Sequence, residues 1–384
     1  MDAVTPAPDV VTVRPLAALL LLAAALAACG PDRPAPDGGA AAAADRGGAG
    51  GGAAEGGLDL ALPTSNRALL DGRPEDFYMG LNVTIDSLRP ERWEGGQYGF
   101  VRDPVPTVFG TRTFRRVHEG IDVRPLARDA EGNAVDTVRA VDAGRVVHVN
   151  TAGSSYGTYV VVEHDWGGSP VYTLYAHLAE PYVAVGDVLG RGGPLGRMGF
   201  TGRGLGRDRS HVHLEIALLL NRHVEPWFDR YVGTANPQGV YFGTNLAGVP
   251  PAELYRALER DPGLTFAEYV RGLDEGYVVD LPGGRPLDLL ARYPWLGPEA
   301  AAADPAAVPA WRVAFTQEGV PVRVGVAPDA VDRPTVEGVS LAVWLGDRST
   351  NRMLQRRGVS YEPARRGTSY FALLATTADG PPDW

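Results

Sequence analysis

The sequence of 384 residues contains one cysteine, Cys29, so an intrachain disulfide is excluded. It has no long basic run and a formal net charge of −10, a balance that argues against nucleic acid as a partner. The apolar run LAALLLLAAALAA, residues 16–28, is too short to span a bilayer comfortably, since a spanning helix needs ~20 apolar residues. No further membrane-spanning segment follows it, and no internal repeat is present. Histidine is scarce, with seven in the whole chain. Glycine and proline are plentiful instead, 49 and 32 residues, which favours strands and loops over long helices. Hydrophobic residues make up 45%, enough for a real core in one sizeable domain plus a module, or in two domains.

The single cysteine closes the segment LAAC, residues 26–29, directly after the apolar run. An aliphatic residue, two small residues and a cysteine resemble the bacterial lipoprotein signal. That resemblance implies a signal peptide over 1–28, cleavage before Cys29 and attachment to a membrane through the lipidated Cys29. The competing reading is an ordinary secretory signal with a chance cysteine. Asp2 and Asp9 stand against Arg14 alone ahead of the run, which points to a start downstream of Met1. Gly30 occupies the place where an aspartate is often linked to inner-membrane retention, so the expectation is the periplasmic face of the outer membrane. Residues 29–60 are mostly Gly, Ala, Pro and Asp and cannot offset the cost of chain ordering by burial, so a flexible tether is expected.

From about residue 61 the composition becomes globular. The runs AVDAGRVVHVN (140–150), GTYVVVEHD (157–165), VYTLYAHL (171–178) and SHVHLEIAL (210–218) are β-like and separated by Gly-rich turns, the pattern of an antiparallel all-β unit. We place this unit at 61–225. An accessory region follows over 226–384. Its PPAELYRALERD (250–261) and TFAEYVRGLDEG (265–276) read as short amphipathic helices. WRVAFTQEGVPVRVGVAP, GVSLAVWLGD and GTSYFALLATT, beyond residue 310, read as strands. The fold class expected is mainly β, an antiparallel core with a C-terminal α+β region.

HEGID, residues 118–122, begins like the zinc-protease helix signature H-E-x-x-H, but its fifth position is Asp122 and Gly120 weakens a helix. His118 and Asp122 would lie ~13 Å apart on a straight strand; a strand bent at Gly120 brings them together. A loop salt bridge from Asp122 to a nearby arginine is the plainer reading. His211 and His213, in HVHLEI, share one face of a strand ~6–7 Å apart, with Val212, Leu214 and Ile216 turned to a core. Taken alone they are as readily a surface pair. His177, in LYAHL, is by itself as readily a satisfied core histidine. Zinc favours His nitrogens and a carboxylate in an open three-ligand site.

Taken together, His118 with Asp122, then YAHL at 175–178, then HVH at 211–213 resemble the lysostaphin-type (LytM-like) zinc metalloendopeptidases of bacterial cell walls. VGDVLGRGGPLGRMGFTG and YGFVRDP resemble that family's glycine-rich run and domain opening, and the resemblance covers residues 97–220. It implies an antiparallel β-sheet metallopeptidase core, Zn2+ held by His118, Asp122 and His213, and a catalytic pair in His177 and His211. It also implies peptidoglycan peptides as substrate, cut at cross-links or stem peptides. Glu119 is no ligand in this reading. Glu215 either orients a ligand histidine or is a solvated strand carboxylate, and His148, His164 and His223 match no motif. The other class of function is a catalytically silent envelope scaffold or activator that binds cell-wall peptide or a partner hydrolase. The accessory region could also cap the groove and restrain activity.

Overall fold

The computed structural model describes residues 57–81, 91–100, 117–346 and 350–384, and the backbone at 104–106 and 112–114. The expected signal peptide, Cys29 and the tether up to residue 56 lie outside the described residues, as does part of YGFVRDP. Among the described residues no helix is long and apolar enough to cross a membrane.

The chain is mainly β, with every strand pairing antiparallel. β1 (Pro104–Pro106) and β2 (Arg112–Phe114) form a small ribbon. The large sheet comprises β3 (Ile121–Val123), β4 (Thr137–Arg139), β5 (Gly144–Asn150), β6 (Thr158–Trp166), β7 (Ser169–Pro181), β8 (Val188–Leu189), β9 (Pro194–Met198), β10 (Val212–Leu219) and β11 (Leu246–Val249). Its order is β11-β10-β7-β6-β5-β8, with β9 paired to β7 and β4 to β9. β10 has β7 along one edge, while β3 and β11 share the other edge end to end. The sheet thus takes its last strand from beyond residue 225.

β10 is buried along its whole length, because both faces are covered. Val212, Leu214, Ile216 and Leu218 point into the large core. Ala217 and Leu219 join Tyr159, Val161, Tyr172, Leu174, Ala176 and Leu246 on the opposite face. His213 and Glu215, in alternation with the core residues, share that second face.

The C-terminal region is α+β. β12 (Tyr277–Pro282), β13 (Ala310–Phe315), β14 (Pro321–Ala327) and β15 (Thr335–Val339) form a sheet in the order β14-β13-β12-β15, and β16 (Leu354–Arg357) with β17 (Ser360–Pro363) forms a hairpin. Helices at Pro251–Arg260, Phe266–Arg271 and Arg365–Leu374 pack beside them. One apolar core runs from Leu214 and Ile216 through Tyr255 and Val270 to Tyr277, Phe315 and Phe371. Full burial of such side chains is worth about 1.5–3 kcal/mol each, so the two sheets stabilise one another.

Three local expectations need correction. GTSYFALLATT is helix, not strand: Tyr370 through Leu374 are all buried, so this half reads as a continuous apolar run, and its aromatic, β-branched look misleads. GVSLAVWLGD ends β15 and then turns into a helix, Leu341–Leu345. Ser340 caps that helix by accepting from the Val343 N–H, and Gly346 closes it in the left-handed conformation. The helix expected at 265–276 starts on a Thr265–Glu268 capping box but stops at Arg271, before Gly272.

Candidate metal centre

The centre is assembled around the first half of β10. His213 lies directly opposite Asp122 of β3 on one side and Ala176 of β7 on the other. Side chains of directly opposed residues share a face, so Asp122 and His213 meet. His118 reaches them because the chain bends at Gly120, which lies against β10. A Cβ at Gly120 would sit 2.3 Å from the Leu214 carbonyl oxygen, so close approach is what requires glycine there. The expected bent strand is present.

β7 carries an irregularity between Tyr175 and Leu178 in its pairing with β6, and His177 within it has φ 64°. A bulge with a residue in the left-handed region re-aims one side chain out of the pleat alternation. Here it sets the His177 ring 4.7 Å from that of His211 and 6.0 Å from that of His213, centroid to centroid. His211 is tied to the sheet through its bridge to Gly199.

Three donor atoms converge. His118 Nε2 lies 3.0 Å from Asp122 Oδ1 and 3.0 Å from His213 Nδ1, and His213 Nδ1 lies 2.9 Å from Asp122 Oδ1. All three residues are buried, and among the described residues they form the one His/Asp/His group able to hold a metal ion. His211 Nε2 stands 3.4 Å from Asp122 Oδ1.

Each imidazole is oriented by its other nitrogen. His118 Nδ1 donates to the Gln97 carbonyl (2.8 Å), His177 Nδ1 to the Thr201 carbonyl (2.7 Å) and His211 Nδ1 to the Arg209 carbonyl (2.7 Å). His213 is turned the other way: Nε2 donates to Glu215 Oε1 at 2.8 Å, leaving Nδ1 toward Asp122. The Tyr156 hydroxyl donates to the same Glu215 oxygen at 2.7 Å. These bonds fix the tautomers, the usual way a protein aims ligand histidines. Glu215 is fully buried, which decides between its two sequence readings in favour of orienting His213.

The electrostatics suit a cation. Burial works against ionising Asp122, yet His118 and His211 beside it hold its carboxyl well below the usual range. Burial lowers the His213 pKa, but the Asp122 and Glu215 carboxylates overcome it and push the group up to about 10. His177 is pushed down to about 3 by burial, with His211 and His213 adding to the effect, so it is neutral at pH 7. Glu119, expected to be incidental, is raised to about 7 by burial and by Glu215, against Arg366 at 3.3 Å.

Comparison with known proteins then fits this geometry. Residues 116–226 match Peptidase family M23. That is a metallopeptidase family, and the matched segment holds His118, Asp122, His177, His211 and His213. The chain is similar to the catalytic domain of the prophage-encoded M23 protein EnpA from Enterococcus faecalis, with 21% identity over 27% of this chain and 71% of that one (TM-score 0.22). It is similar to the catalytic domain of lysostaphin from Staphylococcus simulans, with 22% identity over 34% and 86% (TM-score 0.23). It is also similar to a zinc-containing peptidase from Vibrio cholerae, with 27% identity over 31% and 37% (TM-score 0.21), so it spans well under half of that protein. No curated protein matches the chain.

Of the remaining histidines, His164 is a structural residue of the M23-like segment, bonded to the Ala143 carbonyl and to Thr173. His148 stands among Tyr159 and Tyr241. Sequence reasoning missed the orienting carbonyls of Gln97, Thr201 and Arg209, since any residue can supply a carbonyl. It also missed Tyr156, whose only signal was an aromatic in a Gly/Ser turn.

Proposed function

We propose that the protein is a zinc-dependent endopeptidase that hydrolyses peptide cross-links or stem peptides of peptidoglycan. The meeting of His118 Nε2, Asp122 Oδ1 and His213 Nδ1 within 2.9–3.0 Å of one another, beside two more imidazoles, carries this reading. Two oriented nitrogens and one ionised carboxylate are the donor set of a catalytic zinc site, and about 3.3 Å is the ligand spacing that zinc–nitrogen bonds of 2.0–2.1 Å require in a tetrahedron. The residues therefore fit the ion after a small outward adjustment. When bound, zinc supplies Lewis-acid polarisation of a carbonyl and acidifies water.

The chain's own residues do the rest. His118, Asp122 and His213 would hold the ion, with Glu215 and Tyr156 fixing His213. His177 and His211 are the proton carriers. With Nδ1 committed to a backbone carbonyl, each presents Nε2: one takes a proton from the attacking water and returns it to the leaving amine, and the other donates to the tetrahedral intermediate only in its imidazolium form, with Nε2 protonated.

The LAAC segment supports lipidation at Cys29, and with it a cell-envelope location at the periplasmic face of the outer membrane. Such a location favours a D-alanyl–diaminopimelate bond over an interpeptide glycine bridge. The test is metal analysis combined with turbidity loss of purified peptidoglycan. Wild type should carry one zinc and clear the suspension, and His211→Ala should keep zinc without clearing it. Stoichiometric zinc in a wild type that cleaves no muropeptide would leave a catalytically silent scaffold or activator. Mass spectrometry of the digests identifies the bond, and Cys29→Ala should release the protein from membranes.

A further inference from the structure

The segment Val117–Gly120, which carries the first metal-binding histidine, is not held by the large sheet alone. It is gripped on both sides of His118 by the C-terminal region. The Val117 N–H donates to Asn351 Oδ1 at 3.5 Å, and Glu119 Oε1 accepts from Arg366 at 3.3 Å. Both partners sit on one tightly joined block. Asn351 is buried, takes the left-handed conformation that asparagine tolerates (φ 49°), and donates through Nδ2 to the Glu318 carbonyl. Arg366 opens the helix Arg365–Leu374, whose Tyr370 hydroxyl donates to the Gly319 carbonyl at 2.7 Å. That helix presses on the loop through Gly367, where a Cβ would stand 1.9 Å from the Met353 carbonyl oxygen, so only glycine permits the approach. Phe371, on the next turn of the helix, is fully buried in the shared core.

Apolar packing by the residues from Val249 onward falls on the core face of β10, away from the histidines, while the small cluster on the histidine face takes Val240, Tyr241 and Leu246 from the chain beyond residue 225. This distribution is that of a support behind a site and not of a lid over it.

We propose that the C-terminal region is a bracket for the metal centre, with Arg366 and Asn351 as positioning residues that hold His118 in register with Asp122 and His213. This rests on the metal-centre reading above. It assigns the region a positive role in metal binding, in place of restraint. Arg366 also sets a positive charge against Glu119, where Glu119 and Glu215 bring two carboxylates together behind His213.

The experiment measures zinc affinity of the full chain by competition with a chromophoric chelator, alongside hydrogen exchange of the amides at 117–123. Arg366→Ala and Asn351→Ala should each weaken zinc affinity about tenfold or more, the usual effect of losing an outer support of a metal ligand. Both should speed exchange at 117–123 while leaving β12 to β14 protected. Arg366→Lys should recover most of the loss. Arg356→Ala, which removes an exposed guanidinium stacked 4.7 Å over Trp344, should change neither readout. If Arg366→Ala does not fold, Asn351→Ala decides in its place. Wild-type zinc affinity in the variants, with zinc bound normally by the parent, overturns the bracket and leaves the metal centre standing. A parent that binds no zinc overturns the metal centre itself.

Discussion

The two sheets treat buried charge in opposite ways. In the C-terminal region it is closed off pair by pair: Asp280 takes Arg312 in a two-pronged bond of 2.6 and 2.8 Å, and Arg292 takes Asp288 at 2.6 Å. At the first half of β10, Asp122 and Glu215 are buried instead among His118, His211 and His213. Here the carboxylates bond to imidazole nitrogens, where those of the C-terminal region bond to guanidinium groups, and imidazole with carboxylate is a donor set that can take up an added cation. The lesson is that burial of polar groups alone does not mark a site. What marks it is a buried set in which outward hydrogen bonds fix each ring while donor atoms of His118, Asp122 and His213 converge on one point.

Changes at the histidine end should abolish chemistry with modest effects on folding, and changes in the C-terminal core should do the reverse. The largest effect is expected from Asp122→Ala, which removes both the carboxylate ligand and the partner of three histidines. Metal analysis should find zinc lost and peptidoglycan clearing undetectable; retained stoichiometric zinc would break the assignment. His211→Ala comes next, with zinc kept and the cleavage rate lowered about 10²–10⁴-fold, the usual span for a group that moves a proton. Phe371→Ala is the counterpart on the other side. Emptying that fully buried site should cost about 3–5 kcal/mol in denaturant unfolding while folded protein still binds zinc. Glu215→Gln should lower zinc affinity about 10–100-fold with the site otherwise intact, since it loosens His213 without removing a ligand.

The smallest effect is a pH profile of the metal-free protein. His164 and His177 have folded pKa values below 6.5, lowered chiefly by burial, the second to about 3. Between those values the unfolded chain binds protons that the folded one refuses, so stability falls as pH drops below about 6.5. His213 runs the other way. Its value is raised to about 10, so its contribution is fully present below 6.5 and is lost as pH rises through 10. The melting temperature should therefore peak near neutrality and decline on both sides by several degrees. A profile flat from pH 5 to 9 would mean that these histidines are not buried as described.

Much of this was legible from residue order. Strand alternation in HVHLEI placed His213 and Glu215 on one face and Val212, Leu214 and Ile216 on the other, because a period of two leaves no freedom once one face is buried. The helix at 365–374 was not legible, since its second half, Tyr370 to Leu374, is buried throughout and reads as an apolar run that suits a strand equally well. The left-handed His177 was not legible either, because a bulge is set by the register of two neighbours that the segment itself does not encode.

The sequence by itself determined the residue types available for chemistry. Seven histidines, one of them four residues before an aspartate and two of them alternate on a strand, together with YAHL, restrict the candidates to a short set. Tertiary structure decided which nitrogen each histidine turns toward the centre, through carbonyls at Gln97, Thr201 and Arg209 and the carboxylate of Glu215. It alone brought Asn351 and Arg366 to the flanks of His118 across more than 230 residues of chain. The physical reason is that donor chemistry belongs to a side chain wherever it stands, whereas direction and charge balance belong to contacts between segments far apart in sequence.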